Sequence, residues 1–492
     1  MGEEAAEGTP AAAPKAGWAG WAGRFRPAES EAGEGVGRAT ILVWILFALV
    51  ALSVSRDVLQ QDFRKQGIIG DAASFVLQAE SLGYSGHDLA YDGDDLEYFR
   101  SFGWSPEPYG LYFQRNDDGW APAKPYGYSA VLAPAFRLFG PRRGLALANL
   151  GLMAVIGAAG VAMLRTRLRG PVIPIVVGAF LFGSYLRFYA YHPWTELFLA
   201  ALVATFFLCA LKADRDGHVL WRAAALCVGA YLISEKAPMI TLVGPVGLYL
   251  LIRAGSWRRG ALMAAAAAIT FVVAITPYVA TSDGASWTPY GGERYYAAGG
   301  VPFGDSDGTY SRVDSDETFS LTYVRENALG NLDDSVVSAG YYFVGRHSGM
   351  LPFMPVALFA IVASIASWRR GDTLARCTLI GLGAYVVFYL VLFPLNFSGG
   401  GQTLGNRYFL QVSPVVLALL AMFPIKARTL AIGAAASWVA ALVFLAPHFD
   451  QPFDALRRLE ITSRAQRVLP FEGNQDGEAY FRCGRGVCPD DE

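Results

Sequence analysis

The chain has 492 residues, 53% of them hydrophobic and 17% charged, with a mean hydropathy of +0.32. A soluble domain is about 25% charged, so this composition excludes a soluble enzyme and a disordered hub. Lys and Arg number 40 against 42 Asp and Glu, leaving no basic excess to hold nucleic acid, and five Cys are too few for a disulfide scaffold or a multi-zinc array. An all-α polytopic membrane protein remains.

Residues 1–38 are rich in Ala, Gly, Pro and Glu without periodicity and are expected to be a disordered N-terminus. A bilayer core takes about 20 mostly apolar residues per helix. Eleven stretches read as crossings: 40–55, 145–164, 171–190, 197–211, 223–234, 237–252, 261–280, 350–366, 374–393, 408–423 and 429–446. The first follows too long a polar segment for an ordinary cleaved signal peptide and reads as an uncleaved anchor. The fifth and sixth are short and meet at Ser234-Glu235-Lys236, as a helix pair turning inside the outer half of the membrane.

Alternate short loops carry Arg165, Arg167 and Arg169, then Lys212, Arg215 and Arg222, Arg253, Arg258 and Arg259, Arg369 and Arg370, and Lys426 and Arg428. The positive-inside rule turns these loops to the cytoplasm. A multi-pass protein of the cytoplasmic (inner) membrane follows, with its N-terminus inside and its transmembrane domain over 39–446. Loops 56–144 and 281–349 and the tail 447–492 then lie outside. Cys483 and Cys488 in that tail read either as a small disulfide loop or as two free thiols.

The first outer loop opens with Gly70-Asp71, and Phe75, Val76, Ala79 and Leu82 then fall on one helical face. This predicts a short helix lying on the outer leaflet with Asp71 at its start. Asp71 suits an N-cap and suits a catalytic carboxylate equally. The run His87 to Asp95 reads as a divalent-cation turn or as a solvated loop. Lys124-Pro125-Tyr126 leads into the apolar stretch 130–139, which fits a headgroup-level helix.

Two acids are bracketed by apolar helices. Tyr191-His192-Pro193-Trp194-Thr195-Glu196 joins the third and fourth crossings, and Glu235-Lys236 joins the fifth and sixth. Ionisable residues at membrane depth are expensive and point to function. Downstream, Gly399-Gly400-Gly401 precedes Asn406 and Arg407 at the start of the tenth crossing, a Gly-rich turn and guanidinium suited to a phosphate. Asp305, Asp307, Asp314, Asp316 and Glu317 lack a calcium-loop pattern and read as surface acids.

These motifs, in this order, resemble the GT-C class of integral membrane glycosyltransferases, in particular the bacterial protein mannosyltransferase and aminoarabinose transferase group (glycosyltransferase family 39-like). The resemblance spans 40–423 and rests on Gly70-Asp71, Lys124-Pro125-Tyr126-Gly127-Tyr128-Ser129, Tyr191 to Glu196 and Gly405-Asn406-Arg407-Tyr408-Phe409. It implies a GT-C-like bundle of about 11 helices with interfacial helices and two large outer loops. It implies inverting transfer of a sugar from a polyprenyl-phosphate donor to a glycan, lipid or protein acceptor outside. Asp71 maps to the general base, although Ala72 follows it where many members carry a second acid. Arg407 and Lys236 are the candidate cations for the donor phosphate. Lys124, Tyr126, His192, Glu196, Glu235 and Asn406 are candidates to line the pocket. No cofactor is expected and no metal ligand set stands out, although a divalent cation is compatible. A transporter or lipid flippase, and a non-catalytic protein of the same fold, are the alternatives.

Overall fold

The computed structural model describes residues 35–65, 68, 70–84, 90–104, 110–116, 119–281, 294–299, 301–304, 309–313, 332–393, 404–449 and 464–470. Several sequence features lie outside them: His87 and Asp88, the glycines at 399–401, the acids at 305–307 and 314–317, and Cys483 and Cys488.

Helix α1 (Gly35–Gln60) presents Ile41, Leu42, Leu46 and Leu52 outward, each more than half exposed. Helix α10 (Trp257–Thr281) does the same with Leu262, Ile269, Val272 and Val273. Water would not tolerate so continuous an apolar face, and lipid does. Among the described residues, six helices are long and apolar enough to cross a membrane: Gly37–Gln60, Tyr126–Arg165, Glu196–Asp216, Trp257–Thr281, Thr373–Leu392 and Ala427–His448. The protein is a multi-pass, mostly helical membrane protein.

The other expected crossings are helical but shorter or broken. They comprise α5 (Val172–Leu181) with α6 (Leu186–Tyr189), α8 (Val219–Glu235) and α9 (Met239–Ile252). Later in the chain, α11 (Leu332–Val344) and α12 (Met350–Phe353) lead into α13 (Pro355–Ala366) and α14 (Thr373–Leu392). The tenth stretch divides into α15 (Arg407–Val412) and α16 (Val415–Met422), because Pro414 cannot continue the ladder, and α17 (Ala427–Ala440) follows.

Helix α4 (Tyr126–Arg165) carries two expected segments in one element. Its backbone leaves helical geometry at Gly140 (φ 73°, ψ 162°), just before Pro141. The first limb is the apolar run after Tyr126, and the second is the expected crossing. Helix α7 (Glu196–Asp216) packs against α4 and α8, and α9 packs against α14. Alternation along the chain puts the basic turns at one end of the bundle and residues 124, 196, 235, 236 and 407 at the other.

Helix α2 (Asp71–Gly83) forms where expected and is enclosed by protein on more than its apolar face. Ala72 to Ser81 are all buried, polar Gln78 and Glu80 included. The helix is covered by α4 on one side and on the other by α3 (Gly93–Ser101) and a sheet. That sheet has four antiparallel strands in the order β2-β1-β3-β4. They are β1 (Leu111–Asn116), β2 (Gly119–Pro122), β3 (Arg294–Gly299) and β4 (Thr309–Val313). The register pairs Tyr112 with Tyr296 and Gln114 with Arg294, so strands from the two long loops form a single sheet.

Candidate active site

Helix α2 begins at Asp71 because Gly70 turns the chain in with φ 64°, a conformation only glycine adopts cheaply. Gly70 holds the N-cap position, and Asp71 is the first residue of the helix and not its cap. Its carboxylate is held instead by two cations from distant parts of the chain. Lys124 Nζ lies 2.6 Å from Oδ1, and Arg407 Nη2 lies 3.0 Å from Oδ2.

Arg407 is shared. Its Nε and Nη2 also donate to Glu196 Oε1, at 2.9 and 2.8 Å, while Glu196 is 1% exposed. The second oxygen of Glu196 has no hydrogen-bond partner among the described residues. A second carboxylate therefore joins Asp71 in space, supplied by α7 and not by position 72. Ala72 is simply packed, at 3% exposure.

Aromatic rings complete the array. The Arg407 guanidinium stands over Trp194 at 4.9 Å, and His192 stacks on the same indole at 4.9 Å. Lys124 stands over the Tyr112 ring at 4.2 Å, and Arg294 over the same ring at 5.3 Å. The contacts thus run in series: Arg294, Tyr112, Lys124, Asp71, Arg407, Glu196.

Lys236 lies beside this series with neutral partners. Its ammonium donates to Gln411 Oε1 at 3.2 Å and sits 4.1 Å from the Tyr408 ring, and it forms no ion pair among the described residues. Gln411 follows Arg407 by one helical turn, so both point from one face of α15. Gln411 in turn donates to Tyr385 at 2.6 Å.

The charges set the protonation of Asp71 and Lys124. Burial would push the Asp71 carboxyl up, but Lys124 and Arg407 outweigh it and hold the group well below the usual carboxylate range. Burial pulls the Lys124 ammonium below the ordinary lysine range, and Asp71 restores only part of the loss. Two carboxylates thus face Lys124, Arg407 and Lys236, with Arg294 at the edge.

The remaining candidates serve the frame. Asn406 accepts from Phe409 N at 3.0 Å and caps α15. Its cap fills the helix end where an anion was expected. Tyr126 opens α4, where its ring stacks on Tyr278 at 5.4 Å and its amide donates to the Tyr278 hydroxyl at 3.1 Å. Glu235 accepts from Gly127 N at 3.1 Å, facing α4 and not Asp71. Downstream of His87, Asp92 and Asp95 form the capping box of α3, so this part of the acidic run is neither a cation turn nor merely solvated. No group of three or more His, Cys, Asp and Glu positioned for a metal occurs among the described residues.

Several positioning residues were not singled out from sequence. Asn149 donates to the carbonyls of Ala190 and His192, at 3.2 and 2.9 Å, and accepts from Tyr128 at 2.8 Å, which fixes the segment presenting Trp194 and Glu196. It was detectable as a lone amide in the apolar stretch 145–164, as was Gln411 in 408–423. Tyr112 carried no such signal, since only strand pairing brings it to Lys124.

No protein-family model matches the chain, and no curated protein matches it. Among solved structures it is similar to ArnT. That crystal structure, from Cupriavidus metallidurans bound to undecaprenyl phosphate, is 17% identical, and the match covers 86% of this chain and 67% of that one with a TM-score of 0.44.

Proposed function

We propose that this protein is an inverting glycosyltransferase that moves a sugar from a polyprenyl-phosphate carrier to an acceptor hydroxyl at the outer face of the membrane. One observation carries the reading. Lys236 is a cation held by an amide and an aromatic ring, next to two carboxylates whose charge is already taken by Lys124 and Arg407. A phosphate supplies the missing anion, and the apolar helices below accept its prenyl chain.

In the reaction, Asp71 takes the acceptor hydroxyl's proton and the acceptor oxygen bonds to the anomeric carbon. The bond from that carbon to the phosphate oxygen breaks, and the polyprenyl phosphate leaves with both electrons. Arg407 and Lys236 stabilise the departing dianion. A positioned general base contributes about 10²–10⁴-fold.

Asp71 is a weak base while both cations hold it. Donor phosphate drawing Arg407 toward itself frees Oδ2, so the base is activated when the donor is in place. Glu196 keeps Arg407 within the site during that exchange. The test is binding of a polyprenyl monophosphate to the purified protein in nanodiscs. Lys236→Ala is expected to weaken it about tenfold or more, and unchanged affinity would overturn the donor-site reading.

A further inference from the structure

Glu235 and Lys236 are adjacent in sequence but face different helices. Glu235 ends α8 in helical geometry and accepts from the Gly127 amide of α4 at 3.1 Å. Lys236 is extended (φ −153°, ψ 102°) and reaches Gln411 and Tyr408 of α15. The turn is short: Lys236 N donates to Leu232 O at 3.0 Å, Met239 N donates to Lys236 O at 2.9 Å, and α9 begins at Met239. It is therefore a crosspiece between α4 and α15.

The same two helices deliver the two cations on Asp71. Lys124 immediately precedes α4, and Arg407 opens α15. Whatever sets the gap between these helix ends also sets how Lys124, Arg407 and Lys236 are spaced. A second observation shows how closely the crosspiece is fitted. A Cβ placed on Gly127 would come within 3.0 Å of both Glu235 Oε1 and the Tyr231 hydroxyl. A side chain there would have to displace the Glu235 carboxylate and the Tyr231 hydroxyl, because both are pressed onto the α4 backbone. Glu235 is 3% exposed, and it meets an amide in the first turn of α4, one of those a helix cannot satisfy internally. A buried carboxylate at a helix N-terminus also gains from the helix dipole.

We infer that Glu235 is a positioning residue that acts through Lys236: by clamping the turn to Gly127 it places the Lys236 ammonium where the donor phosphate binds. The inference rests on the donor-site reading above. It assigns Glu235 no contact with substrate.

Polyprenyl monophosphate binding to the full chain in nanodiscs tests it, with a double-mutant cycle on the adjacent pair. Glu235→Ala weakens binding about tenfold, and Glu235→Gln, which keeps the acceptor oxygen, stays within about threefold of the natural protein. In the Lys236→Ala background, Glu235→Ala adds no further loss, because its effect passes through the missing ammonium. Gly127→Ala, with both charges intact, displaces the carboxylate and weakens binding as Glu235→Ala does. Should Glu235→Ala not fold, Gly127→Ala and Glu235→Gln decide the matter. Additive losses in the cycle would overturn the inference, as would a Gly127→Ala protein that binds normally. If Lys236→Ala itself binds normally, the donor-site reading fails instead.

Discussion

Arg407 pairs with two carboxylates at once, and this makes its removal worse than the removal of either acid. Arg407→Gln leaves Asp71 with Lys124, but it leaves Glu196, 1% exposed, with no ion-pair partner among the described residues. Orphaning one partner of a buried ion pair costs about 3–5 kcal/mol. Glu196→Gln is milder, since the amide oxygen still accepts from Arg407 and the guanidinium keeps Asp71 at 3.0 Å; a loss of about 1–2 kcal/mol is expected. In the double variant the stranded charge is gone, so Arg407→Gln/Glu196→Gln should exceed Arg407→Gln in stability by about 1.4 kcal/mol or more. The assay is unfolding of the detergent-solubilised protein followed by fluorescence of its 11 Trp. The shared-cation argument is refuted if the second substitution makes Arg407→Gln less stable, or if the two single variants are equally damaged.

Asp71→Asn should lower transfer from a radiolabelled polyprenyl-phosphate sugar by about 10²-fold or more while the protein elutes as a folded species. Lys124→Gln removes one of the charges that depress the Asp71 carboxyl, so the acid limb of kcat/KM should move to higher pH, by about one unit; an unmoved limb would mean that Asp71 is not the titrating base. The stability Asp71 contributes should be complete above the unfolded carboxylate value near about 4 and be lost as pH falls from there through the depressed folded value. Asp71→Asn should flatten that part of a stability–pH curve. Gly405→Ala should destabilise the site, because Gly405 has φ 75° and a Cβ there would strike the Tyr185 ring. Its signature would be a lower thermal midpoint together with weakened polyprenyl phosphate binding.

Much of this molecule was written in its one-dimensional pattern. Apolar runs dictate helices, and every expected crossing contains one, although only six of the described helices are long and apolar enough to cross a membrane. Asp71, Lys124, Glu196 and Arg407 stood out as ionisable residues beside apolar segments, and they do meet. Periodicity marked one apolar face on α2, but the helix is buried on its polar positions as well. The fold packs that helix against a sheet with strands drawn from both long loops, a pairing that no local signal encodes. Side-chain roles also diverged from residue type. An aspartate at a helix start reads as a cap, but the cap belongs to Gly70 and the carboxylate is claimed by cations from 53 and 336 positions away along the chain. Glu235 and Lys236 are neighbours in sequence, yet a change of backbone from helical to extended sends them to different helices. Composition and spacing determine which ionisable groups stand at the ends of apolar helices; only the tertiary packing decides which of them touch, because ion pairing depends on a few ångströms and sequence distance says nothing about those.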